Sequence, residues 1–176
     1  MLCNSLWENN IQIFDAQMHK QELMLTLDET DSLFNRKIFD IFGCLILDCT
    51  LDRSEEIEIS QEQFEAVIEY NTDRTGYEYS SNEFRIIDYI EKDLSIKDQY
   101  LLTMSYIQYL NSRLTLMTKN KIYYILFCNE TILQMRFYQE WQGDSSLFSK
   151  NIEDFDHPFA MYASNDVPCN RVVIKP

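Results

Sequence analysis

The sequence predicts a segregated α+β fold, a single domain over residues 1–176 with N-terminal strands, central helices and a C-terminal antiparallel β-meander. Three observations carry this. Period-two apolar alternation recurs near both ends of the chain, helix-capping signals with helical spacing occupy the middle, and strands and helices do not alternate as βαβ units would. The 176 residues are 45% hydrophobic and 14% aromatic, enough to bury a core. Three Gly and three Pro exclude collagen-like and linker-rich architectures.

The first fifty residues read as extended. Ile11 and Ile13 alternate with polar neighbours, as do Leu23, Leu25 and Leu27 with Met24, Thr26 and Asp28. Ile38 to Leu47 is longer and more apolar and reads as a central strand bent at Gly43, with a short helix from Asp31 to Phe39 competing for its first part. Ser60-Gln61-Glu62-Gln63 is a capping box, and Phe64, Val67 and Ile68 follow at helical spacing. Asn71 to Ser81, which contains Gly76, reads as a loop. Asn82 is expected to cap a second helix facing Ile86, Ile87, Ile90 and Leu94 inward. Ser95 and Asp98 open a third, apolar on most sides, running to about Ser112. Strands are expected at 113–118, 121–128 and 131–141, with tight turns at Lys119-Asn120 and Asn129-Glu130. The tail from Gly143 to Pro168 reads as loop, and Val172 to Ile174 as a closing edge strand.

Several chemistries find no support in the residues. There is no Gly-x-Ser-x-Gly elbow, and Gly43, Gly76 and Gly143 stand too far apart to cradle phosphate. His19 reads as an exposed loop residue. Asp154, Asp156 and His157 are close in sequence but lack the i, i+4 spacing of a zinc pair and the pattern of a Ca²⁺ loop. The expectation is therefore no catalytic residue, no metal and no cofactor. Cys3, Cys44, Cys49, Cys128 and Cys169 are odd in number and contain no CxxC pair. With no signal-peptide pattern and no apolar stretch of membrane-spanning length, they read as reduced thiols of a cytoplasmic protein.

Charge is the strongest signal. Fifteen Lys+Arg face 29 Asp+Glu, a formal −14 with pI near 4.4, which argues against direct binding to nucleic acid or to anionic membrane. The imbalance is local: Asp52 to Asp93 holds thirteen acids and four bases, a net −9, whereas Leu94 to Lys150 is net +2. Glu55, Glu58, Glu62, Glu65 and Glu69 recur at spacings of three and four, a face opposite Phe64, Val67 and Ile68, and Asp73 extends it. Like charges so placed give up roughly 1 kcal/mol of helix stability, and no Lys relieves them between Asp52 and Glu91.

These properties favour a non-enzymatic acidic binding protein that occludes a basic protein partner, with Glu55, Glu58, Glu62, Glu65, Glu69 and Asp73 at the contact. Small inhibitors of nuclease-type toxins (immunity proteins, antitoxins) share this acidic, motif-poor α+β character. The alternative is a secretion-type chaperone or structural adaptor that binds an extended partner segment through an apolar groove, with a homodimer open in either case.

Overall fold

Ser60 opens a helix as its sequence context implies. Its hydroxyl accepts the Gln63 N–H at 3.2 Å, and the Gln63 side-chain oxygen accepts the Ser60 N–H at 2.9 Å. The computed structural model describes residues 1–11, 27–48, 59–144, 147 and 151–167. In chain order the elements are β1 (Leu2–Cys3), α1 (Ser5–Asn10), α2 (Leu27–Phe34), β2 (Ile38–Ile41), β3 (Cys44–Leu47), α3 (Gln61–Tyr70), α4 (Arg74–Ser81), β4 (Phe84–Arg85), α5 (Ile96–Met117), β5 (Ile122–Cys128), β6 (Leu133–Gln139) and β7 (Phe159–Ala163). Short 3-10 turns follow β4 at Ile86–Asp88 and precede β7 at Ile152–Asp154.

The fold is α+β. Five antiparallel strands form a sheet in the order β1-β7-β5-β6-β4, and β2 and β3 form a separate hairpin. One face of the sheet, with Phe84, Met135, Leu126 and Ala160 in one cross-strand row, packs on α5. That helix is about 33 Å long at 1.5 Å per residue. It buries Tyr100, Leu102, Tyr106, Ile107, Leu110 and Leu114 against the sheet, α1 and the start of the hairpin. The Trp7 ring meets Tyr100 edge-on, the Asn111 amide donates to the Ser164 carbonyl, and Arg113 donates to the Arg36 carbonyl. A smaller core of Ile41, Cys44, Ile46 and Phe64 sits between the hairpin and α3.

Several elements differ from expectation for identifiable reasons. Asn4 caps a helix at Ser5–Asn10 where extended chain was expected, its side chain accepting from the Trp7 N–H. Leu27 opens α2, while Ile13, Leu23 and Leu25 lie outside the described residues. The expected central strand at 38–47 is a hairpin, turned by Phe42 (φ 50°) and Gly43 (φ 89°), the two positive φ values of a tight right-twisted turn. A Cβ at Gly43 would also come within 3.2 Å of the Trp141 ring.

Asn71 to Ser81 is mostly helix: Asp73 caps α4 by accepting from the Gly76 N–H at 2.7 Å. Gly76 marks close packing, because a Cβ there would lie 2.2 Å from the Asn71 carbonyl oxygen. Asn82 ends that helix instead of starting one, and Phe84–Arg85 is strand. Ser95 caps α5 through the Asp98 N–H as expected, but the helix continues to Met117 with Thr118 as its extended C-cap, so no strand forms at 113–118. The third C-terminal strand is β7, within the stretch expected to be loop. Residues 172–174 lie outside the described chain.

Candidate functional site

The acidic helix α3 reaches the tip of the β2–β3 hairpin, and the two enclose a groove of about 260 Å³ lined by Phe42, Phe64, Ile68, Glu65, Glu69 and Arg74, with Gln61 at its end. Phe64 and Ile68, one turn apart on α3, point to the small core, and Phe64 is buried. Glu65 and Glu69 follow them on the adjoining flank and stay exposed. They form an acidic wall beside the apolar floor and do not stand opposite it.

Phe42 supplies the other wall. It is 44% exposed, sits in a positive-φ conformation unfavourable to a bulky side chain, and stacks on Phe64 with centroids 4.9 Å apart. Arg74 closes the end. Its guanidinium donates to the Phe42 carbonyl at 2.6 Å and lies 5.3 Å from the Phe64 ring centre and 4.8 Å from that of Trp141. This cation braces the hairpin tip with its hydrogen bond and two rings.

The six acids singled out from sequence meet different fates. Glu65 and Glu69 line the groove together. The Glu65 carboxylate accepts the Gln61 amide at 2.9 Å. Glu62 is exposed on α3 but is not part of the groove lining. Asp73 is half-buried and caps α4, a structural task. Glu55 and Glu58 lie outside the described residues.

Sequence reasoning missed Phe42, Arg74 and Trp141, which join the site only through long-range packing of hairpin against helix. The Phe-Gly pair is the one local signal, since a bulky residue at a two-residue turn breaks the usual Asn-Gly preference. The largest surprise among the acids is Glu78, fully buried behind the hairpin. Its carboxylate accepts from the Leu45 N–H at 2.7 Å, the Gln139 N–H at 2.7 Å, the Gln139 amide at 2.6 Å and the Trp141 indole at 3.1 Å. Burial pushes this carboxyl above the ordinary carboxylate range, and the hydrogen bonds from Gln139, Leu45 and Trp141 pull it back. Burial, with Glu78 adding to it, also lifts the nearby Cys44 thiol to about 12, so that thiol is no nucleophile.

Among the described residues no group of three or more His, Cys, Asp or Glu is placed to hold a metal ion, and no helix is long and apolar enough to cross a membrane. His157 is exposed beside β7, far along the chain from these residues, with Asn4 donating to its carbonyl. Cys169 lies outside the described residues.

No curated protein and no solved structure matches this chain. Residues 2–174 match the model of the Uncharacterized protein PM0498 family, so the chain belongs to that family.

Proposed function

Taking this member of the PM0498 family from its geometry alone, we propose a non-enzymatic binding protein that seats a basic protein segment in the groove between α3 and the hairpin tip. The observation that carries the reading is the pairing of Glu65 and Glu69 with an exposed, stacked Phe42 over one apolar floor. Carboxylates on a groove wall attract Lys and Arg, and an aromatic pair gives a desolvated anchor for the partner's apolar side chain. The formal −14 of the whole chain adds long-range attraction for a basic partner and discourages nucleic acid.

Occluding a basic active surface, as an immunity protein or antitoxin does to a nuclease-type toxin, is the biological role this arrangement suits. Glu62, Glu65 and Glu69 would steer encounter, while Phe42, braced on the buried Phe64 ring, would hold the complex. Phe42 stands at φ 50°, where Asn or Gly would sit at lower cost, and such backbone strain fits a side chain that serves in contact.

Peptide display against the intact chain tests this, with the Glu65→Gln/Glu69→Gln variant as counter-selection. Enriched peptides should carry net positive charge and one large apolar residue. Enrichment of uncharged apolar segments that bind both proteins equally would replace this reading with that of an adaptor for extended chains.

A further inference from the structure

The outer face of the five-stranded sheet is divided in two. In cross-strand register, Arg85, Gln134, Phe127 and Phe159 form one row, and Arg136, Ile125 and Met161 the next. Ile152 and Phe155 roof the β7 side of this face, and the Phe155 ring stacks on Phe159 at 4.8 Å and meets Phe127 edge-on. On the β4–β6 side, among the described residues, Tyr79 of α4 covers only the Arg136 end. This side opens as a groove of about 470 Å³ between Tyr79, the β5–β6 turn at Asn129 and His157. That volume lies in the range of small-molecule sites, and the groove shares no lining residue with the one on α3.

For so acidic a chain its lining is rich in basic side chains, although the Glu83 carboxylate lines it as well. In a chain with nearly twice as many acids as bases, Arg85, Arg136 and His157 converge on one concavity with the amides of Gln134 and Asn129. Arg136 is held in place: its guanidinium donates to the Tyr79 carbonyl, pairs with Glu83 and lies 4.6 Å from the Tyr79 ring centre. Arg85 donates through Nε to Asp88 at 2.9 Å, an exposed pair. A guanidinium has five N–H donors, so each of these contacts engages only part of one group.

We infer that this groove is a binding site for a small organic anion, its carboxylate or phosphate received by Arg85 and Arg136 and its flat apolar part lying along Phe127 and Tyr79. Fork-shaped guanidinium donors match the two or three oxygens of such a group. The size of the groove favours a small ligand, and local guanidinium contacts must outweigh the repulsion that the net charge of the chain exerts on any anion.

Phenyl phosphate is a direct probe, followed through the side-chain Nε–Hε resonances of Arg85 and Arg136 in the full chain. Saturable shifts of both are expected below about 10 mM, with inorganic phosphate binding several-fold more weakly because it lacks the ring. Arg85→Gln should weaken phenyl phosphate by about tenfold while the unfolding midpoint stays unchanged. Arg136→Gln should do the same, and if it unfolds the chain the Arg85 variant decides alone. Absence of saturation, equal affinity for inorganic phosphate, or binding indifferent to Arg85→Gln would each overturn the assignment.

Discussion

Glu78 of α4 and Asn82, the residue that caps its C-terminus one turn later, together take the place of a strand between β3 and β6. Glu78 accepts from the Leu45 and Gln139 N–H groups. The Asn82 side chain accepts from the Leu47 N–H at 2.8 Å and donates to the Leu45 carbonyl at 2.9 Å and the Phe137 carbonyl at 3.2 Å. β4 pairs with β6 only at Met135 and Gln134, so beyond that point these two side chains satisfy backbone that a longer β4 would have paired. The hairpin tip bearing Phe42 is thereby fixed to the main sheet.

Removing this bridge should be costly. Glu78→Ala leaves the buried Leu45 and Gln139 N–H groups without their acceptor and takes one acceptor from the Gln139 amide and from the part-buried Trp141 indole, and a loss of about 3 kcal/mol is expected. Asn82→Ala should lose about 2 kcal/mol by the same logic. Urea denaturation measures both, and a loss below 1 kcal/mol for Glu78→Ala would show that the bridge is incidental.

Glu78 also makes stability depend on pH in a particular sense. Because burial raises its folded value above that of the unfolded chain, the folded state binds the proton more tightly. Its contribution is fully present below the unfolded carboxylate value, about 4.3, and is lost as pH rises through the raised folded value. The stability of the wild type minus that of Glu78→Gln should therefore fall with rising pH across that window. A difference that grew with pH would mean that the four donors outweigh burial.

Cys44 and Cys128 should be inert in the native state. Burial, with Glu78 adding to it, puts Cys44 at about 12, and burial puts Cys128 at about 11. Iodoacetamide labelling at pH 8, resolved by peptide mass, should be about 100-fold slower at both than in the unfolded chain. Rapid native labelling of Cys44 would show that the hairpin opens readily from α3.

Phe42→Asn separates stability from binding. Asn tolerates positive φ, so backbone relief offsets the lost Phe42–Phe64 stack, and the unfolding free energy should change by less than about 1 kcal/mol. Affinity for basic peptides selected on the wild type should fall at least about tenfold. Unchanged affinity would remove Phe42 from the site.

What could be read in the sequence was local. The capping box at Ser60, the cap at Ser95, the apolar run at 122–128 and the alternation of Leu133, Met135 and Phe137 each depend on neighbours within a few residues. Long-range contacts decided the rest. Gly76 resembled a loop marker because the Asn71 carbonyl packed against it is visible only in three dimensions. The strand expected at 113–118 is instead the last turn of α5, where Leu114 is buried and Leu116 is 88% exposed, as residues two apart on a helix can be. Glu78 counted as one more surface acid until the fold buried it. Of the acidic stripe, Glu62, Glu65 and Glu69 are exposed on α3, but Glu65 and Glu69 stand beside Phe64 and Ile68 and not opposite them, and the aromatic wall that makes a groove there comes from a turn more than twenty residues before Glu65.

The most direct test of the central claim is the association rate of a basic partner captured on the wild-type chain, compared with the Glu62→Gln/Glu65→Gln/Glu69→Gln variant across a salt series. Groove and rim charges that steer encounter should make the variant about tenfold slower at low salt, with the two rates converging above ~0.3 M as screening shortens the reach of the field. Equal association rates at low salt, with the variant as well folded as the wild type, would contradict a binding role for the acidic face of α3.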